Sequence, residues 1–155
     1  MNFIPRPICM LSALVFVLLF PPPCSAVIDD SVPDAQTLAK LELRAQQAKP
    51  REQCFLYAEL LHTMTELAGR QILEGNAEEA SATLKKVEHY AQLIHLRLAD
   101  DPKRLKSTEM LLQHTTYRLQ EYLHSASGDD RATLQNVLVQ LNRIEDELLI
   151  SVFRH

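Results

Sequence analysis

Glycine is scarce in this chain of 155 residues, and its scarcity excludes several classes of site. Only three glycines are present, and the sequence contains no glycine-rich run. Phosphate-binding loops need such a run, because closely spaced glycines let backbone N–H groups approach the phosphates. The Gly-x-Ser-x-Gly elbow of many hydrolases is missing as well. We therefore expect no nucleotide-binding loop and no catalytic residues.

Cysteine is also sparse once the first 26 residues are set aside. Cys9 and Cys24 lie in that segment, so Cys54 is the one cysteine that remains. One cysteine cannot form an internal disulfide, and the sequence has no Cys-x-x-Cys-His haem motif and no four-ligand zinc set. Cys54 falls on an apolar helical stripe, where cysteine behaves as a small hydrophobe. An intermolecular disulfide is the alternative.

Concentrated positive charge is missing too. Residues 1–26 contain one basic residue, Arg6, and no acid, so the rest of the chain has 15 basic and 20 acidic side chains and a net charge of −5. Its densest basic group is Lys103, Arg104 and Lys106. Nucleic-acid binding needs a concentrated basic stripe. We expect no nucleic-acid partner.

The first 26 residues differ in composition from all that follow. Residues 8–20 carry no charge, three prolines come next, and the segment ends in the small residues Cys24, Ser25 and Ala26. Such a run is shorter than the roughly 20 residues that a membrane-spanning helix needs. The pattern predicts a cleaved signal peptide at 1–26 and a periplasmic or extracellular protein. The alternatives are a lipoprotein signal that retains Cys24 as the lipidated first residue, although the preceding three prolines disfavour it, and an uncleaved signal, which would then be the membrane attachment.

The remainder of the chain repeats one spacing rule in four segments, with apolar residues alternately three and four positions apart. This spacing places the apolar side chains on one face of an α-helix, and the alternation typical of strands is absent. The clearest series is in the last segment. The series are Tyr57, Leu61, Met64 and Ala68; Leu84, Val87, Ala91, Ile94 and Leu98; Leu105, Leu112 and Leu119, which mark whole heptads with Thr108, Thr115 and Tyr122 between them; and Leu134, Val137, Leu141, Ile144 and Leu148.

Turn and capping residues separate the four segments. Gly75 suits the position after a helix end, and Asn76 with Glu79 three residues later matches a capping box. Asp101 before Pro102 matches an N-cap followed by the favoured first-turn proline. These signals predict where the chain leaves one helix and enters the next.

The predicted architecture is all-α. A flexible segment at 27–33 precedes a single domain at 34–155, which is an antiparallel up-down four-helix bundle with an extra short N-terminal helix. The short connections force consecutive helices to turn back on each other. The predicted helices are 34–48, 51–74, 77–99, 102–126 and 130–153, with Pro50 marking the break before the second.

Four stretches after Cys54 carry a resemblance. They read EEASATLKKVEHYAQLIH, DPKRLK, LQHTTYRLQEYL and EDELL. In these stretches the chain resembles small exported helical proteins of environmental bacteria that have no assigned function. The resemblance implies no site.

Two Glu-x-x-His motifs are the sharpest candidates for a metal site. They are Glu59 with His62 and Glu121 with His124, on alternate long helices, as in carboxylate-bridged two-metal sites. Both glutamates, however, point away from the apolar seams at 100° per residue. Glu121 also lies roughly ten residues further along its helix, an offset of about 15 Å where bridged metals need about 4 Å. We therefore expect no metal and no cofactor.

Several large apolar residues fall outside the seams and indicate a second contact layer. Either the short N-terminal helix covers them, or they form a surface for a protein partner or a second copy. They are Val139, Ile150 and Phe153 on the last helix, and Phe55 and Leu73 on the first long helix.

These observations predict a non-enzymatic, exported protein of the cell envelope with an interaction or structural role. Its candidate interaction patch is Val139, Ile150 and Phe153. The alternatives are a small-molecule or metal carrier that uses the bundle interior, and an envelope holdase chaperone. A dry continuous core favours the first function, a polar interior cavity the second, and a broad apolar concave face the third.

Overall fold

A computed structural model describes residues 35–100, 102–126 and 128–153. These residues are 93% helical and include no strand, which confirms the predicted all-α class. No helix among them is long and apolar enough to cross a membrane. The predicted signal peptide at 1–26 and the segment at 27–33 lie outside them. The helices are α1 (Ala35–Gln47), α2 (Pro50–Glu74), α3 (Ala77–Arg97), α4 (Leu105–Ser125) and α5 (Gly128–Phe153), with a short 3₁₀ helix at Leu98–Asp100.

The predicted apolar seams form the core. Every seam residue of α5, from Leu134 to Leu148, is at most 1% exposed, and one buried cluster takes residues from all five helices. Burying a large aliphatic side chain contributes about 1.5–3 kcal/mol, so these faces dominate the stability of the fold. The largest fully buried side chains outside α5 are Leu60, Leu61, Leu84, Val87, Ile94, Leu112 and Leu119.

The helices pack in a definite set of pairs. α2 packs against α1, α3 and α4, and α5 packs against α3 and α4. Residues further along α2 contact residues further along α4 and the segment that leads into it. Glu52 faces Lys103 just before α4, and Glu66 faces Arg118 within it. These two helices therefore run in the same direction.

The turn between α2 and α3 agrees with the sequence in one respect and differs in another. Gly75 ends α2 in the left-handed region at φ 79°, as predicted. Its N–H donates to Ile72 O, and that of Asn76 donates to Gln71 O, which is the Schellman pattern. The predicted capping box is wrong. The Asn76 side chain makes no capping bond to a backbone N–H, and its Nδ2 donates to Glu74 Oε2 at 3.2 Å.

The predicted starts of α4 and α5 are also wrong. α4 begins at Leu105 instead of Pro102, and Arg104 precedes it in the left-handed region at φ 63°. The left-handed backbone of Arg104 separates Pro102 from the helix, and this segment lies against the start of α2, where the N–H of Lys103 donates to Arg51 O at 2.8 Å. α5 begins at Gly128, two residues before the predicted start, and the backbone freedom of Gly128 at φ 55° accommodates the turn.

Candidate functional site

The two Glu-x-x-His pairs lie on neighbouring helices but at different heights. Tyr122, which follows Glu121, lies against Gly69 of α2, ten residues beyond Glu59 and therefore about 15 Å further along. Glu121 is exposed and binds Arg118, and the Nδ1 of exposed His124 lies 2.8 Å from Gln120 O. In the part of the chain that the structure describes, no three His, Cys, Asp or Glu residues are grouped to hold a metal ion.

Glu59 does not face water as its helical angle predicts. It is half-buried, and its Oε2 has no hydrogen-bond partner among the described residues. The reason is tertiary. Arg44 of α1 and His114 of α4 line the same cleft as Glu59, so a position that an isolated helix would expose is partly covered from both sides.

A polar cluster that the sequence analysis missed joins α2 to α4. Arg118 Nε and Nη2 donate to the two carboxylate oxygens of Glu66 at 2.7 and 2.8 Å. Tyr122 OH donates to Glu66 Oε2 at 2.8 Å and accepts from Arg118 Nη2. Both partners of the ion pair are about one-third exposed, at 31% and 32%. The bidentate geometry makes this pair stronger than an ordinary surface ion pair.

The protonation states of this cluster favour a role in holding α2 and α4 together over a role in catalysis. Burial alone would raise the pKa of Glu66, but hydrogen bonds from Arg118 and Tyr122 and the charge of Arg118 together lower it. The hydrogen bond to Glu66 raises the pKa of Arg118. Burial, and then the bond to Glu66, raise the pKa of Tyr122 to about 12. Near neutral pH the cluster therefore holds a carboxylate, a guanidinium and a neutral phenol, and none of the three is poised to transfer a proton.

Gly69 makes the close approach of α2 and α4 possible. A Cβ at this position would overlap the Tyr122 ring. A glycine inside a helix costs about 1 kcal/mol relative to alanine, so Gly69 is the one sequence signal that could have located this contact. The pairing of Glu66 with Arg118 had no such signal, because it depends on the register between two helices.

His62 lies beside the same contact. Its Nδ1 is 3.0 Å from Thr115 Oγ1, and its ring centroid is 5.0 Å from that of His114. Thr115 Oγ1 donates its proton to Leu111 O, so it accepts a hydrogen bond from the Nδ1–H of His62. Burial lowers the pKa of His62, the charge of Glu66 opposes this shift, and His114 and Arg118 add to it. The neutral imidazole is therefore favoured in the folded protein.

Cys54 occupies the buried position that its spacing predicts. It is free and 0% exposed, and burial raises its pKa to about 12. A neutral thiol without solvent access is a poor nucleophile, and it cannot meet a thiol of another chain unless the core opens.

The predicted patch on α5 is exposed. Val139, Ile150 and Phe153 are 70%, 54% and 85% exposed, respectively. α1 packs on α2 and covers Phe55, which is only 7% exposed, while Leu73 stays open to solvent. The expectation that the N-terminal helix covers the outer apolar residues is therefore correct for Phe55 and wrong for the residues of α5.

Comparison with known proteins adds no functional assignment. The chain matches no protein-family model, no curated protein and no solved structure. Its candidate function accordingly rests on the burial, charge and geometry of its own residues.

Proposed function

We propose that this is an exported, non-enzymatic helical protein that acts by binding a second copy of itself or a protein partner through the outer face of α5. The proposal includes an antiparallel up-down arrangement of α2 to α5, with α1 as an additional helix. Support for the arrangement comes from the helix pairs that touch and from the common direction of α2 and α4. Support for export comes from the charge-free run at 8–20 and the small residues that end at Ala26.

The filled interior favours an interaction role over a carrier that uses the bundle interior. Leu61, Leu112 and Leu141 are fully buried among other apolar side chains. The clefts of the described part lie in grooves between helices, and buried residues such as Phe55 and Ile144 line them together with exposed side chains. A dry core of this kind leaves a ligand no room at the centre of the fold.

The outer face of α5 is the observation that carries the proposal. Val139, Ile150 and Phe153 project within about 60° of one another at 100° per residue, so they form one row on the side opposite the seam. Single exposed apolar residues are common on protein surfaces. A row that includes a phenylalanine exposed by 85% is the kind of surface that protein interfaces bury.

The test is a double variant, Ile150→Ser with Phe153→Ser, studied by sedimentation velocity for self-association and by native mass spectrometry for a co-purified partner. We expect the mass of the complex to fall while helicity by circular dichroism persists. The matched control is Leu96→Ser with Tyr117→Ser, because these residues are also exposed, at 64% and 58%, and lie on other helices.

The control should keep the mass of the parent protein. A parent protein that is already monomeric and without a partner would overturn the proposal. The proposal is also overturned if the mass of the complex falls equally in both double variants. The fall would then follow from replacing any exposed apolar residue with serine.

A further inference from the structure

Two clefts meet beneath α1, away from the outer face of α5. The first has a volume of about 670 Å³ and lies between α1, the start of α2 and the segment before α4. The second, of about 660 Å³, lies between α1, α2 and α4. Arg44, Phe55 and Arg104 line both of them. Each volume falls within the range of about 300–1,000 Å³ that is typical of small-molecule sites.

The first cleft is strongly cationic, although the protein as a whole is acidic. Lys40, Arg44, Lys103 and Arg104 line it, and Glu52 is its single carboxylate. Glu52 lies 3.6 Å from Lys103 and so partly compensates that one cation. No carboxylate elsewhere in the described residues pairs with the other three cations. The cleft therefore presents uncompensated positive charge, which an anionic ligand would neutralise.

The floor of the same cleft is apolar. Phe55 and Leu56 are buried in it, and Leu43 of α1 forms an exposed apolar wall. The guanidinium of Arg104 lies 3.5 Å above the centre of the Phe55 ring, in cation–π geometry. One cation is thereby held directly over the apolar floor before any ligand arrives. A guanidinium in this position offers a planar pair of donors to a carboxylate or phosphate group.

Polar contacts hold α1 in place over the cleft, so that the cleft is already formed. Tyr90 OH donates to Glu42 Oε1 at 2.6 Å, and Gln53 Nε2 donates to Ala45 O at 3.2 Å. Ala45 itself is fully buried against the core. A preformed cleft lowers the ordering cost of ligand binding.

We propose that this cleft binds one small, soluble amphiphile with a carboxylate or phosphate head group. The head group lies between Arg44 and Arg104, and the apolar body lies along exposed Leu43 and the small parts of Phe55 and Leu56 that stay accessible beside Arg104. The lining combines cationic side chains with an apolar floor, so a ligand that complements it has both an anionic group and an apolar part. The proposal is independent of the interaction role given above, because it uses none of the residues on the outer face of α5.

The first test is calorimetric titration of the purified protein with dodecanoate and with dodecyl phosphate, each below its micelle concentration. The comparators are dodecyl maltoside, which has the same tail and a neutral head, and inorganic phosphate, which has no tail. We expect one-to-one binding of both anionic amphiphiles, at least about tenfold tighter than either comparator and weaker at high salt. Equal affinity for dodecyl maltoside would overturn the proposal. So would binding to vesicles of anionic lipid without binding to either soluble amphiphile, because the cations would then serve a membrane surface.

The second test assigns the binding to the cleft. Arg44→Gln with Arg104→Gln should weaken dodecanoate binding by about tenfold or more, because each guanidinium contributes charge-assisted hydrogen bonds. The matched control is Lys85→Gln with Lys86→Gln, which removes the same charge from exposed positions on α3 and should leave the affinity unchanged. Arg44→Gln alone is a second variant for the same titration, in case substitution of Arg104 disturbs the turn in which it lies. Arg44 itself is exposed on α1. Equal loss in the cleft variant and the control would overturn the assignment.

Discussion

The contact between α2 and α4 and the contact between α3 and α5 share a geometry but differ in chemistry. Glu66 and Arg118, which pair across the first contact, are 52 residues apart, and so are His95 and Glu147, which pair across the second at 3.0 Å. A groove lined by Ala91 and Ile144 borders the second contact. The two ion pairs therefore span the same separation in sequence.

The two contacts nevertheless close in different ways. Between α2 and α4, Gly69 admits the ring of Tyr122 and a bidentate ion pair covers the edge, while the second cleft of about 660 Å³ opens nearer the start of both helices. Between α3 and α5, a groove of about 310 Å³ remains, bordered by apolar Leu96 and by Arg143. Apolar spacing thus selects the helix faces that pack together. The side chains at the edge of each contact decide how closely the helices approach.

The largest expected effect tests the apolar side of this comparison. Leu141 is fully buried on α5, which packs on both α3 and α4. Leu141→Ala should lower the free energy of unfolding by about 2–5 kcal/mol, because it leaves a cavity in the middle of the seam. Urea denaturation measures this change. The control is Val139→Ala on the exposed face of the same helix, which should shift the free energy by less than about 0.5 kcal/mol. Equal losses at the two positions would mean that the seam is assigned to the wrong face.

An intermediate effect tests the close approach of α2 and α4. Gly69→Ala should destabilise the protein by about 1–3 kcal/mol, because the added methyl group collides with Tyr122 and overpacks the contact. In an isolated helix the same change would stabilise by about 1 kcal/mol. The sign of the change in the free energy of unfolding therefore shows whether the added methyl group collides with a neighbour. A double-mutant cycle with Tyr122→Ala checks the cause. If Gly69→Ala still destabilises once the ring is gone, the glycine is needed for another reason.

The smallest expected effect separates the two contacts by their dependence on pH. The pKa of His62 in the folded protein is lowered from the usual 6.5, so above that pH the histidine is neutral in both the folded and the unfolded state. As the pH falls below 6.5, the unfolded chain binds the proton first, and stability declines until the folded pKa is passed. His62→Gln should flatten this decline in urea titrations, which would trace it to the α2–α4 contact. A decline that is unchanged by His62→Gln would assign the pH dependence to other groups.

Glu66 contributes its own pH dependence in a lower window. Its pKa in the folded protein is lowered from the usual 4.5, so its stabilising effect is complete above that value and is lost as the pH falls through the folded pKa. The window of Glu66 begins about two pH units below that of His62, and the two are coupled because the charge of each group shifts the pKa of the other.

Local signals in the sequence predicted the features that depend on neighbouring residues. The seam from Leu134 to Leu148 is buried as predicted, and Gly75 ends α2 as predicted. The predicted start of α4 failed because Arg104 has a left-handed backbone conformation, in a segment that lies against the distant start of α2, and a right-handed helix cannot continue through it from Pro102. The Glu66–Arg118–Tyr122 cluster was missed as well. Its members come from two helices, and their alignment is not encoded in either helix alone.

The sequence by itself determined the all-α class, the buried face of each long helix and the burial of Cys54. These features follow from helical periodicity and from the free energy of removing apolar surface from water, and both can be evaluated within one segment. Only the tertiary structure decided that α1 covers Phe55 and leaves Phe153 exposed, and that Arg104 stacks on Phe55 in a cationic cleft. Those outcomes depend on how helices distant in sequence are aligned, and alignment depends on the packing of many side chains at once.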